Sequence, residues 1–86
     1  MSDFSNETGA GEDDTLGGRI SLARDAATFS VDEAAALLGV ERETWAHWES
    51  DRAAPRANRL GMLAGMLQVS VGWLLSGRGR GPSYGV

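Results

Sequence analysis

This chain predicts an all-α domain built from five short helices. Apolar residues recur at helical spacing in successive stretches between Leu16 and Ser76, with helix start and stop signals between them. No run alternates apolar and polar residues as a half-buried strand would. Short connections then force the helices to pack compactly.

The first helix is expected over Leu16 to Ala27, where Leu16, Ile20, Ala23 and Ala27 share one face. The second carries the strongest start signal. Ser30 can cap, Glu33 three residues on completes a capping box, and Phe29 can staple onto Ala34. Its apolar stripe is Val31, Ala34, Ala35 and Leu38, and Gly39 ends it in a left-handed cap. The third helix covers Glu41 to Ser50. It breaks at Asp51–Pro55, because the residue before a proline avoids helical geometry. The fourth spans Arg56 to Gln68 and buries Leu60, Leu63, Ala64 and Leu67, leaving Met62 and Met66 exposed. The fifth is short, Ser70 to Leu75, with Ser70 as cap, a Val69–Leu74 staple and Gly77 as stop. Trp73, with Leu74 and Leu75, reads as core.

Size and composition bound the rest. At 86 residues the chain makes one small domain, and a chain of this size buries only about 60% of its unfolded surface. A dimer is therefore a reasonable expectation. A hydrophobic fraction of 42% supports a compact fold. There is no cysteine and His47 is the single histidine, which excludes disulfides, thiolate sites and multi-histidine metal sites. No apolar run reaches the roughly 20 residues of a membrane span, and the start of the chain does not read as a signal peptide. A cytoplasmic, nucleoid-associated protein is the expectation.

The net charge of -4 is unevenly distributed. Residues 1–15 hold Asp3, Glu7, Glu12, Asp13 and Asp14 and no base, the composition of a disordered acidic tail. Beyond them, eight arginines stand against seven acids, with no lysine. Residues 78–86, rich in glycine and including Arg78 and Arg80, are expected to form a flexible tail. The folded domain is placed at 16–77.

On a helical wheel, Thr44, Trp45 and Trp48 of the third helix fall within about 100° of arc and face the core. Arg42, Glu43, Ala46 and His47 lie opposite. A helix this short is unstable alone, so the tryptophans must anchor it while the outer face stays available for contacts.

The pieces LGGRISLAR, SVDEAAALLGV, ETWAHWESDRAAPR and LAGMLQVSVGWLLSG together resemble the Cro and phage-repressor type of helix-turn-helix domain, the lambda-repressor-like or XRE family. The resemblance covers essentially the whole folded part and puts the helix-turn-helix at helices two and three. It implies a sequence-specific DNA-binding transcriptional regulator. A homodimer would read a pseudo-palindromic site on double-stranded DNA, with the third helix in the major groove.

Roles follow from the resemblance by position. Arg42, Glu43 and His47 match residues that read base edges. Ser30 and Val31 match backbone contacts at the start of the second helix, and Glu41 and Thr44 match positions near a phosphate or a neighbouring base. Arg52 and Arg56 match phosphate contacts, while Arg24 and Glu49 match a structural salt bridge. The chain departs from the usual pattern at Val31, where glutamine is common, and at Glu41 and Glu43, where Ser, Thr, Gln or Arg is usual. Arg42 could take guanine O6 and N7, and Glu43 could accept from a cytosine N4 amine.

The alternative is a protein-interaction module that keeps the fold and has lost DNA, motivated by Glu41 and Glu43 and by Met62 and Met66, although gap-filling in the core is the commoner role of methionine. An enzyme is not expected. The sequence offers no nucleophile–base arrangement, no phosphate-cradling glycine loop and no metal-ligand cluster. No cofactor and no small-molecule ligand are expected either.

Overall fold

The side chains of Thr15, Ser30 and Ser70 close the starts of three helices in this chain. In the computed structural model, which describes residues 15–82, five helices run in the order α1 (Leu16–Ala26), α2 (Val31–Leu38), α3 (Arg42–Glu49), α4 (Ala57–Leu67) and α5 (Val71–Ser76). No strand occurs among the described residues. The expected acidic leader, up to residue 14, and residues 83–86 lie outside the described residues. Thr15, counted with that leader on sequence, caps α1 by accepting from the Gly18 amide at 3.0 Å.

The capping box of α2 is complete. Ser30 Oγ accepts from the Glu33 amide at 3.0 Å, and Glu33 Oε1 accepts from the Ser30 amide at 2.8 Å. Gly39, at φ 85, ends α2, where its amide and that of Val40 donate to the Ala35 carbonyl. Ser70 caps α5 at the Trp73 amide, and Gly77 at φ 80 closes it.

The core is built from Ile20, Ala23, Ala34, Ala35, Leu38, Trp45, Trp48, Leu60, Leu63, Ala64, Leu67, Val69, Trp73 and Leu74. Helix α1 packs on α3 and α5, α2 on α3 and α4, and α4 on α5. Met66 is half-buried against the core, the gap-filling role common for methionine, whereas Met62 is 54% exposed. The two lie on neighbouring sides of one helix, and only the packing of α4 decides which side is covered.

Two polar side chains bind the layers together. Arg19 falls on the apolar stripe of α1 and is buried, with Nε donating to the Leu74 carbonyl at 2.7 Å and Nη2 to the Leu75 carbonyl at 3.3 Å. A cation on carbonyls at the C-terminus of α5 complements that helix's dipole. Residues beyond Gly77 then turn back. The Arg80 carbonyl accepts from the Ser70 amide at 2.9 Å, and Arg80 Nη2 donates to the Gln68 carbonyl at 3.1 Å, so the first part of the expected tail lies on the domain.

Asp51, at φ 62 just past α3, reaches the start of α1. Its Oδ1 accepts from the Gly17 amide at 2.8 Å and its Oδ2 from the Thr15 hydroxyl at 2.7 Å. The N-terminus of α1 thus abuts the C-terminus of α3, and Gly17 is what permits it. A Cβ there would sit 2.4 Å from the Trp48 carbonyl oxygen and 2.7 Å from that of Glu49. Both obstacles are backbone, so the helices must separate. Gly17→Ala is therefore expected to destabilise the domain by roughly 1–3 kcal/mol despite alanine's better helix propensity. Urea denaturation followed by circular dichroism reads the effect, and a midpoint at or above that of the parent would refute it.

Candidate nucleic-acid interface

The exposed face of α3 is held out by the burial of its inner face. Trp45 is fully buried and Trp48 nearly so, with ring centroids 5.6 Å apart and planes tilted by 49°. Each contributes roughly 1.5–3 kcal/mol or more on burial, enough to fix an eight-residue helix that could not stand alone.

A polar knot behind the tryptophans locks the helix in register. Arg24 Nε and Nη2 donate to Glu49 Oε2 and Oε1 at 2.5 and 3.1 Å, and Arg24 Nη1 donates to the Phe29 carbonyl at 2.9 Å. Trp45 Nε1 donates to Glu49 Oε2 at 2.6 Å. The side chains of Arg24 and Glu49 are only 16% and 14% exposed. The hydrogen bond to Glu49 raises the Arg24 pKa above the ordinary arginine range, against an opposing contribution from burial. A raised cationic pKa stabilises the fold fully below the unfolded value and loses effect only as pH climbs through the folded one. On Arg24's account, stability is therefore lost only as pH rises into strong alkali.

On the outer side, Arg42, Glu43 and His47 are all exposed on one helix, as their spacing predicted. Glu41 is the N-cap residue of α3 and is exposed, with no side-chain cap bond. Ser30 is exposed, and its hydroxyl already serves the Glu33 amide. Val31 is half-buried against the core, so what it can offer a ligand is its backbone amide. Thr44 departs from the wheel reading, being half-buried on the wall of a groove rather than in the core.

That groove is open, about 720 Å³, and runs between the start of α3 and the start of α4. Glu41, Thr44 and Trp48 line it from α3 and its N-cap, and Pro55, Arg56 and Arg59 from the start of α4 and the loop before it. Arg56 is the exposed N-cap residue of α4, also without a side-chain cap bond. Arg52 is exposed in the intervening turn, its amide donating to the His47 carbonyl at 2.9 Å. The structure thus gathers Glu41, Thr44 and Arg56 around one groove beside the α3 face, while Ser30 and Val31 open the helix before it.

Two contacts at this face have no local signal in the sequence. Arg42 Nε pairs with Asp32 Oδ1 on α2 at 2.6 Å. Arg59 Nη1 donates to the Leu38 carbonyl at 3.1 Å, closing the C-terminal end of α2. Both join residues on different helices, so only the α2–α3–α4 packing creates them. Arg19 could have been found, because a charged residue on an apolar stripe signals a buried polar contact.

Among the described residues, no group of three or more His, Cys, Asp or Glu side chains could hold a metal ion. None of their helices is long and apolar enough to cross a membrane.

The comparisons with known proteins agree with this geometry. Among solved structures, the chain is similar to the P22 c2 repressor in complex with synthetic operator 9T in the presence of Tl+. The TM-score is 0.71 at 26% identity, covering 74% of this chain and 97% of that one. No curated protein matches the chain. The family model described as Helix-turn-helix (HTH_3) matches residues 20–74, from the buried face of α1 to the core of α5. With α2, the glycine turn and the exposed face of α3 inside that match, the chain belongs to the helix-turn-helix family.

Proposed function

We propose that this protein is a DNA-binding transcription regulator that inserts α3 into the major groove while α2 crosses the sugar–phosphate backbone. The observation that carries this reading is the division of α3. Its inner face is two buried tryptophans, and its outer face presents Arg42, Glu43 and His47 to solvent. The likeness to a repressor solved with its operator supports the same use of the fold. A helix about 10–12 Å across suits a major groove about 12 Å wide.

In this reading Arg42 takes guanine O6 and N7, Glu43 accepts from a cytosine amine, and His47 contacts a neighbouring base. Arg52 and Arg56 approach phosphates, and the uncapped amides at the starts of α3 and α4 favour anionic oxygens. Ser30, Val31, Glu41 and Thr44 line the approach to the backbone. A homodimer on a pseudo-palindrome places half-sites about 10–10.5 bp apart. Two arginines per half-site imply a salt slope of only about -2 for each half-site.

Selection of bound duplexes from a random library tests the reading. Arg42→Ala is expected to remove base preference at one position per half-site, at about 1–3 kcal/mol of discrimination, and to leave the other positions intact. Failure to recover any preferred duplex at low salt would overturn DNA binding. Glu41, Glu43 and the exposed Met62 would then favour the alternative, a protein-interaction module on the same fold.

A further inference from the structure

We infer that Asp32, on the first turn of α2, is a positioning residue for base reading by Arg42, an inference that rests on the DNA-binding reading above. The contact is an ion pair of 2.6 Å between Arg42 Nε and Asp32 Oδ1. It engages the inner nitrogen of the guanidinium, so the N–H groups on Nη1 and Nη2 remain to form a fork. That fork is the end that matches a guanine edge in a bidentate contact. A side-on approach through Nε is closed by the carboxylate, so the pair selects one geometry of approach.

The support for Asp32 is rigid. It sits between Ser30 and Glu33, whose reciprocal bonds complete the capping box, and a carboxylate there also suits the N-terminus of the helix. Arg42 begins α3, which the tryptophans and the Arg24–Glu49 pair hold against the core. The ion pair therefore connects two fixed elements through one flexible side chain. Its members are 69% and 73% exposed, so in the free protein it adds little to stability. Its effect arises when DNA displaces water from the groove, because the lower local dielectric strengthens the pair. Tethering Nε also removes part of the rotamer freedom that an arginine otherwise loses on binding.

Charge leads to the same conclusion. An arginine neutralised by its own carboxylate is attracted less strongly to phosphates of any sequence, and it gains most where a base edge supplies two acceptors. Asp32 thereby lowers the sequence-independent contribution of Arg42 and keeps the sequence-dependent one. Asp32→Asn is predicted to separate these two quantities.

The test measures relative affinities for duplexes varied at each position of the selected site, for the parent, Asp32→Asn, Asp32→Glu, Arg42→Ala and Asp32→Asn with Arg42→Ala. Asp32→Asn is expected to lose roughly threefold to tenfold of base preference at the Arg42 position only. Its affinity for unrelated duplex should be equal or higher, and its thermal midpoint lowered by no more than the small loss of one helix-terminal charge. Asp32→Glu should restore part of the preference, and Asp32→Asn should add nothing once Arg42 is alanine. A merely structural role would weaken all positions together and lower the midpoint by more than that. If the parent prefers particular bases and Asp32→Asn preserves or sharpens the preference at that position, the positioning role is overturned while DNA reading stands. If the parent shows no base preference at all, the DNA-binding reading fails and the positioning role fails with it.

Discussion

Trp45→Ala is expected to cost about 3–5 kcal/mol of stability, the largest effect of any single change considered. Trp45 is fully buried, and its loss opens a cavity between α3 and the helices that pack on it. It also removes the indole N–H that donates to Glu49 Oε2 at 2.6 Å. Small domains have total stabilities at or near the lower end of about 5–15 kcal/mol, so the variant should be substantially unfolded at physiological temperature. Trp45→Phe separates the two contributions. It keeps most of the apolar area and loses the hydrogen bond, at an expected cost nearer 1–2 kcal/mol. Urea titration followed by far-ultraviolet circular dichroism measures both without relying on the altered fluorophore. Equal costs for the two variants would show that the hydrogen bond, not the packing, dominates at this site.

Glu49→Ala ranks second, at about 3 kcal/mol. The carboxylate receives two bonds from Arg24 and one from Trp45, so its removal leaves a largely buried guanidinium and an indole N–H without their common acceptor. The remaining 16% exposure of Arg24 admits some water and holds the cost near the lower end of the range for a broken buried pair. Replacing Arg24 and Glu49 together should cost less than the sum of the separate replacements, with a coupling energy above about 1 kcal/mol in a double-mutant cycle. Additive costs would mean that the two side chains act independently, contrary to their bidentate geometry. Loss of Glu49 should also weaken DNA binding, because the knot fixes how far the outer face of α3 projects.

Helix limits depend on hydrogen bonds between residues close in sequence. Ser30 and Glu33, Gly39, Ser70 and Gly77 mark the ends of α2 and α5 as expected. The inner face of α3 was legible too, since two large aromatics three residues apart share one side of any helix. The exposure of Arg42, Glu43 and His47 follows from the same periodicity. The Arg24–Glu49 pair came from the resemblance rather than from spacing.

What escaped the sequence reading lies between elements. The Asp32–Arg42 pair depends on the angle at which α2 crosses α3, and the Gly17 contact on how closely α1 meets the end of α3. Thr44 moved from the core to a groove wall, and of the two methionines only Met66 fills the core margin, because a wheel gives direction but not what stands opposite.

By itself the sequence determined five helices, the caps of α2 and α5, the tryptophan anchor of α3 and the residues on its outer face, because all of these follow from local hydrogen bonding and helical periodicity. The tertiary structure alone decided that Arg42 shares its charge with Asp32, that Asp51 fastens α1 to α3, and that Arg56 and Arg59 border a groove with Glu41. Those contacts depend on helix crossing and register, which arise only when the apolar faces of all the helices are buried together.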